Sequence, residues 1–435
     1  IIEPVNLSTV FQELGVVNMT QVGTSEQILI FIPATDDITG KPTIMTDVEG
    51  QAGKHILGVG INAGSTTFDG TTDNFDYSAL GETWAAPRIL RLPNNGAGDN
   101  NIEDDIYVAV MGGGFGAQHS GFGSNLTLVN LEDTTHPGKV QKVIPIEDLT
   151  TNDIVNSTPG TPVVITPDTA RGVNYRGALV YLSDLEGKIT KFNLTNMSDD
   201  GQGNAINMYD STTLFTAGSN STNGRYMYHS MDATVGQTTN SLWLYAGTGD
   251  YERIGDASKG IQNLMLGIAD PNYPNYRAVS KPTKAADLTK CKNTSNDTTG
   301  ANCPELTKDL GWYITLPNYQ KVTAEPSVSS GLAYYPIYQP SSSVNKCSLG
   351  DAFICAADDE CGTNSSQLLG TNPTPHSLEK CLHVGQGALT KIVAHGGTLF
   401  SGIAGESTKG NKDLVILPGI GSNLDSYRID WREND

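Results

Sequence analysis

The stretch Asp99-Asn100-Asn101-Ile102-Glu103-Asp104-Asp105 puts oxygen-bearing side chains at Asp99, Asn101, Glu103 and Asp105. Alternate residues of an Asp/Asn-rich loop can supply several of the roughly six to eight oxygens that calcium takes. The spacing makes this loop a candidate calcium site and calcium a candidate cofactor. It is not an EF-hand: Asp104 stands where the loop needs Gly, and Val110 where it needs a closing Glu. The plainer reading is a solvated acidic turn before the strand that starts at Ile106. Both readings stay open.

Aromatic residues offer a second chemistry. The tryptophans are Trp84, Trp243, Trp312 and Trp431. A buried Trp removes a large apolar area from water and joins packed sheets, so core packing is expected of them. Trp312 beside Tyr313 is the pair best placed to act instead as a sugar-stacking, ligand-binding platform. Asp184 and Glu186 are two carboxylates two apart, as general acid–base chemistry can use, but at a hairpin tip they read as solvated turn residues. Little else points to an enzyme. The seven histidines include no HExxH spacing, and no G-x-S-x-G elbow occurs. Gly112–Gly116 follows a strand without a helix behind it, so it reads as a tight turn and not a phosphate loop.

The six cysteines, Cys291, Cys303, Cys347, Cys355, Cys361 and Cys381, all fall within one loop-rich stretch. An even number crowded together suggests disulfides made in an oxidising compartment. Cys355 and Cys361 lack the CxxC spacing of zinc knuckles. Cys291 with Cys303 is the expected local bridge, which leaves four cysteines for the 347–381 region.

The chain has 435 residues, with 27 Lys plus Arg against 47 Asp plus Glu and a net charge of −20. So acidic a surface repels phosphate backbones and anionic lipids, which argues against nucleic-acid binding. No apolar run is long enough to span a bilayer as a helix, so an integral membrane protein is not expected. The start at Ile1, without an initiator Met, reads as a mature or truncated product.

The elements that must carry these residues are strands. Short runs rich in β-branched and aromatic residues, such as Ile106–Met111, Ala178–Leu182, Leu242–Ala246 and Leu264–Ile268, stop at Gly, Asp, Asn or Pro. IYVAVMGGGFG, LVYLSDLEGKITKF and LWLYAGTGDY look like variants of one unit, a Tyr-bearing strand ending in a Gly-containing turn. They recur at about 65–75 residues, longer than the roughly 40–50 of regular propeller blades. The expectation is an all-β chain folded as an irregular, decorated β-propeller of about seven blades. Residues 1–54 would be N-terminal strands, possible as a first blade or the end of a preceding region. Residues 55–435 would form the propeller, with Cys-rich insertions at about 283–308 and 340–381.

Several segments, in order, resemble the C-terminal β-propeller of the PilY family, proteins of type IV pilus biogenesis and the pilus tip. Gly81-Glu82-Thr83-Trp84-Ala85-Ala86-Pro87 resembles the family's segment leading into a blade. Val180-Tyr181-Leu182-Ser183-Asp184-Leu185-Glu186-Gly187-Lys188 resembles its V-Y-x-G-D-x-x-G hairpin. Ala246-Gly247-Thr248-Gly249 is similar to its F-G-T-G turn, and Asn263–Asp270 to its N-x-x-x-x-I-x-D strand. Gly311-Trp312-Tyr313-Ile314-Thr315-Leu316-Pro317 matches G-W-Y-x-x-L-P, followed by Glu325-Pro326, Tyr335, Pro340 and Cys347. Asp430-Trp431-Arg432-Glu433 resembles the family's W-R-E close. The family's calcium loop is not carried over: at 168–177 only Asp168 and Asn174 are potential ligands, and Arg171 and Arg176 stand where the cation would sit.

The resemblance implies a non-enzymatic protein exported through the periplasm to the cell surface. It would support pilus assembly and adhesion, with minor pilins or the pilus tip and a host or surface ligand as partners. A secreted carbohydrate- or matrix-binding propeller is the alternative. A quinoprotein dehydrogenase is the second alternative, since those enzymes are propellers with similar D-x-x-T-G-K turns.

Overall fold

A computed structural model describes residues 33–35, 42–44, 77, 79–93, 104–116, 123–133, 138–149, 154–167, 175–257, 260–292, 310–317, 319–341, 349–362 and 381–418. Its regular backbone is almost entirely strand; helical backbone among the described residues is one 3-10 turn, Ala285–Asp287.

A short hairpin pairs β1 (Pro33–Thr35) with β2 (Pro42–Ile44). The first larger sheet is an antiparallel meander of β3 (Arg88–Leu92), β4 (Ile106–Gly112), β5 (Asn125–Asn130) and β6 (Val140–Pro145). The second repeats the plan with β7 (Val163–Ile165), β8 (Gly177–Ser183), β9 (Lys188–Thr195) and β10 (Ser211–Thr216). The third begins with β11 (Asp232–Val235), β12 (Leu242–Gly247) and β13 (Leu264–Asp270). Its chain then sends β14 (Thr283–Lys284) back to pair in parallel with β10. It returns through β15 (Thr289–Lys290) to β16 (Gly311–Thr315), the third sheet's fourth meander strand.

In the fourth sheet β17 (Lys321–Val322) and β18 (Ser327–Ser329) both pair with β19 (Leu332–Gln339), followed by β20 (Asp351–Asp358) and β21 (Cys381–Leu389). The fifth holds β22 (Val393–His395), β23 (Thr398–Ser407), β24 (Gly410–Asn411) and β25 (Leu414–Pro418). β21 also pairs with β23, so hydrogen bonds run on from the fourth sheet to the fifth.

The first strand of each meander lies at a sheet edge, and these edges converge. Arg88–Arg91 of β3, Val163–Ile165 of β7, Asp232 and Ala233 of β11, Glu325 before β18 and Lys391 before β22 line one cavity of about 620 Å³. Sheets that turn their first strands to a common axis form a β-propeller, which shelters edges that a flat sheet would expose. Five such blades lie among the described residues.

The packing explains why the strands read as unbroken apolar runs. Side chains alternate across a strand, and the middle blades are covered on both faces. From β8, Ala178, Val180 and Leu182 pack against Val108, Val110 and Leu128 of the first blade. Leu179 and Tyr181 of the same strand join Leu244, Leu266 and Ile268 of the third. Trp243, Tyr245 and Trp312 then meet Tyr335 and Ile337 of the fourth. Tyr334, Ile354 and Val384 meet Leu399 and Val415 of the fifth.

Polar bonds also cross the blade interfaces. The Glu360 carboxylate accepts from the backbone N–H groups of Thr238 and Thr239, both at 2.8 Å. The Tyr335 hydroxyl donates to the Leu266 carbonyl at 2.7 Å.

A disulfide joins Cys355 of β20 to Cys381 of β21, neighbours in register, across 26 residues of sequence. This pair falls among the four cysteines assigned to the 347–381 region, and Cys361 is also disulfide-bonded. Cys303 and Cys347 lie outside the described residues, but Cys291 is buried outside any disulfide, so the expected Cys291–Cys303 bridge is not formed. The Sγ of Cys291 lies 3.3 Å from the Cys361 carbonyl oxygen. Because the bridge restricts the unfolded chain, Cys355→Ala with Cys381→Ala is expected to lose about 2–4 kcal/mol in urea unfolding. A loss under about 1 kcal/mol would mean that the β20–β21 pairing fixes this region without it.

Candidate functional site

The axial cavity has a mixed, mostly paired charge lining. Arg91 Nε meets Asp105 Oδ2 at 3.0 Å, and the Arg91 guanidinium lies 4.2 Å over the Tyr175 ring. Lys391 Nζ meets Glu325 at 2.6 Å. Asp232 accepts the Val328 backbone N–H at 2.8 Å, tying the third and fourth blades at the axis.

A second concavity, of about 340 Å³, adjoins this cavity through Glu325, which lines both. Its other walls include Trp84, Phe115, Thr161, Tyr228, His229 and Tyr251. Strand order explains the convergence. Trp84, Thr161 and His229 precede the first strands of blades one to three, and Glu325 lies between β17 and β18 on the edge of blade four. Phe115 and Tyr251 follow the second strands of blades one and three. In an antiparallel meander the start of the first strand and the end of the second lie at the same sheet end, as Arg88 opposite Val110 and Asp232 opposite Tyr245 show. Trp84, Thr161, His229, Phe115 and Tyr251 therefore reach one face of the disc.

The GGGFG turn sets Phe115 in place. Gly114 has φ +87°, and the Glu82 carbonyl stands where a Cβ would be. Backbone bonds of 2.8 Å in both directions between Glu82 and Phe115 then hold the Trp84 segment against the turn.

The rings form a continuous row. Trp84 meets Phe115 at 5.1 Å between centroids and 74°. Phe115 meets Tyr228 at 5.9 Å and 44°, and Tyr228 meets Tyr251 at 6.5 Å and 50°. His229 braces Tyr251 edge-on at 5.1 Å. Its buried Nε2 finds no hydrogen-bond partner among the described residues, and burial pushes the imidazole pKa down to about 4. The ring is therefore neutral at pH 7. The Tyr228 hydroxyl points to Asp250 Oδ1 at 3.5 Å, and burial with this nearby carboxylate raises its pKa.

The residues singled out in the sequence lie elsewhere. Of the calcium candidates, Asp99, Asn101 and Glu103 are outside the described residues, and Asp105 is the Arg91 partner. No group of three or more His, Cys, Asp or Glu among the described residues is arranged to hold a metal.

Trp312 is fully buried. Its indole N–H donates to the Asp359 carbonyl at 2.8 Å. Gly267 and Gly362 sit against the ring, so no face is left to stack on a sugar. Tyr313 is half-buried against the core between the second and third blades. The platform expected at these two residues is thus replaced by a core contact.

Trp84 departs from the expectation of core packing: it is 67% exposed. Trp243 is buried as expected, and Trp431 lies outside the described residues. Asp184 and Glu186, expected to be solvated, are buried with Lys188, which pairs with both.

No protein-family model and no curated protein matches the chain. Among solved structures it is similar to the C-terminal domain of PilY1 from Pseudomonas aeruginosa, at 14% identity over 78% of this chain and 74% of that one, with a TM-score of 0.49. It is also similar to BBS1N in its complex with ARL6DN, at 10% identity over 78% of this chain and 79% of that one, with a TM-score of 0.26.

Proposed function

We propose that this chain is the binding propeller of a PilY-like, type IV pilus-associated protein. It is non-enzymatic, acts outside the cell, docks on minor pilins and presents a ligand face for attachment. The observation that carries the reading is where the shared motifs fall. The Gly81–Pro87 segment leads into β3, and Val180–Lys188 makes the β8–β9 hairpin. Ala246–Gly249 closes β12, Asn263–Asp270 runs through β13, and Gly311–Pro317 contains β16. Glu325-Pro326 leads into β18 and Tyr335 lies in β19. Each segment occupies a blade boundary or a buried blade strand, where a family-wide structural pattern would have to sit.

The disulfide fits an oxidising compartment on the export route. No helix among the described residues is long and apolar enough to cross a membrane.

Immunogold labelling of the native host with an antibody to this chain tests the proposal. Label at pilus ends, together with capture of minor pilins by the purified chain, is the expected result. Label confined to the cytoplasm, or on cells that make no pili, would overturn it. The alternative of a secreted ligand-binding propeller unconnected with pili is favoured by one observation, the aromatic concavity, which requires no pilus to function.

A further inference from the structure

We propose that the aromatic concavity is an organic-cation site, an open cage for a quaternary or alkylated ammonium head. The inference deepens the reading of this face as a ligand contact and does not depend on pili. It rests first on ring geometry. A flat sugar face stacks on one broad exposed plane. Here Trp84, Phe115, Tyr228 and Tyr251 are inclined to their neighbours by 74°, 44° and 50°. They make walls around a volume of about 340 Å³ instead of a floor. A rounded cation can touch several such walls at once, and the electron-rich ring faces attract it.

Charge is the second argument. Among the described residues that line the concavity there is no Lys or Arg, and Glu325 is the only carboxylate. Lys391 neutralises Glu325 from the axial side. His229 adds no positive charge, because its ring stays neutral above about pH 4. The whole chain carries −20, so a cation approaches down the overall field and a phosphate-rich ligand approaches against it.

Hydration then selects the kind of cation. A compact ammonium such as that of Lys is strongly hydrated and gives up much to enter an apolar cage. An alkylated ammonium gives up less while keeping its charge. Trp84, 67% exposed, and Tyr251, 41% exposed, form the mouth of the cage.

The test is calorimetry on the purified chain with choline, phosphocholine and a trimethyl-lysine peptide, set beside 3,3-dimethylbutan-1-ol, the neutral isostere of choline. The cations are expected to bind with one-to-one saturation and the isostere at least tenfold more weakly. Trp84→Ala is expected to weaken cation binding by about three- to thirty-fold and Trp84→Phe by less. The unfolding transition of both variants should match the parent, because Trp84 is exposed.

Tighter binding of phosphocholine would point to a lipid or glycan head group as the source, and tighter binding of the peptide to a modified protein. Equal affinity for the isostere would overturn the proposal in favour of a merely apolar pocket. Saccharide binding without choline binding would overturn it in favour of a stacking platform, as would Trp84→Ala with unchanged cation affinity. None of these results bears on the labelling of pili.

Discussion

Lys188→Met is expected to destabilise the chain by about 3–5 kcal/mol, the usual consequence of leaving buried charge without its partner. Lys188 lies in β9 with no solvent exposure, 3.0 Å from Asp184 Oδ2 and paired with Glu186. The backbone N–H of Lys188 also donates to Asp184 Oδ1 at 3.0 Å. Burial lowers the lysine's proton affinity, but Asp184 and Glu186 more than reverse this, so its pKa is raised. Burial raises the Asp184 carboxyl from 3.8 to about 6 despite Lys188.

An acid whose folded pKa is raised contributes stability that is fully present below its unfolded pKa and is lost as pH rises through the folded value. Removing Lys188 raises Asp184 further, so the penalty should be largest near pH 8 and shrink towards pH 5. Urea unfolding at the two pH values measures this, and Asp184→Asn added to the variant should recover part of the loss. Equal losses at both pH values would show that the defect is one of packing and not of uncompensated charge.

Asp270→Ala carries an expected loss of similar size, with the opposite pH dependence. Asp270, at the end of β13 in the third blade, accepts from the Tyr181 hydroxyl at 2.7 Å and Lys191 Nζ at 2.6 Å, both from the second blade. Its other oxygen accepts the Asn272 N–H at 3.0 Å. The substitution strands a buried ammonium and a buried phenol at a blade interface, for about 3–5 kcal/mol.

Burial already lowers the Lys191 pKa even with Asp270 beside it, and the variant should lower it further. A base with a depressed folded pKa is least costly once it is neutral in both states, so the variant should regain stability as pH rises towards 10. Hydrogen exchange should show protection falling on β8, β9 and β13 together. Faster exchange in β13 alone would mean that Asp270 caps its own strand and does not couple the blades.

The strands were legible because burial on both faces leaves an unbroken apolar signature. Ala178–Leu182, Leu242–Ala246 and Leu264–Ile268 fall within β8, β12 and β13. The environment of turns was not legible. Asp184 and Glu186 look like a solvated hairpin tip until neighbouring segments cover it: Leu185 N–H donates to the Ser157 carbonyl, and Ala217 N–H to that of Gly187.

Trp84 and Trp312 sit in equally Gly-flanked segments, yet one is exposed and the other buried. What separates them is the neighbouring backbone, which the local sequence does not contain. The concavity was hidden for the same reason, since its four rings come from separated segments that meet only when blades stack. The one local clue is that Trp84, Phe115 and Tyr251 each stand within a few residues of a Gly-bearing turn at a strand end.

First strands from five sheets meet around one axis. Ile89→Cys and Lys391→Cys place thiols on the first blade and just before the fifth, both lining the axial cavity. The most direct measurement treats this variant with a bifunctional thiol reagent able to cross a cavity of about 620 Å³, followed by peptide mapping of the monomer. A closed disc predicts an intramolecular link between residues 89 and 391. Full labelling of both thiols by a monofunctional reagent, with no link formed, would contradict it.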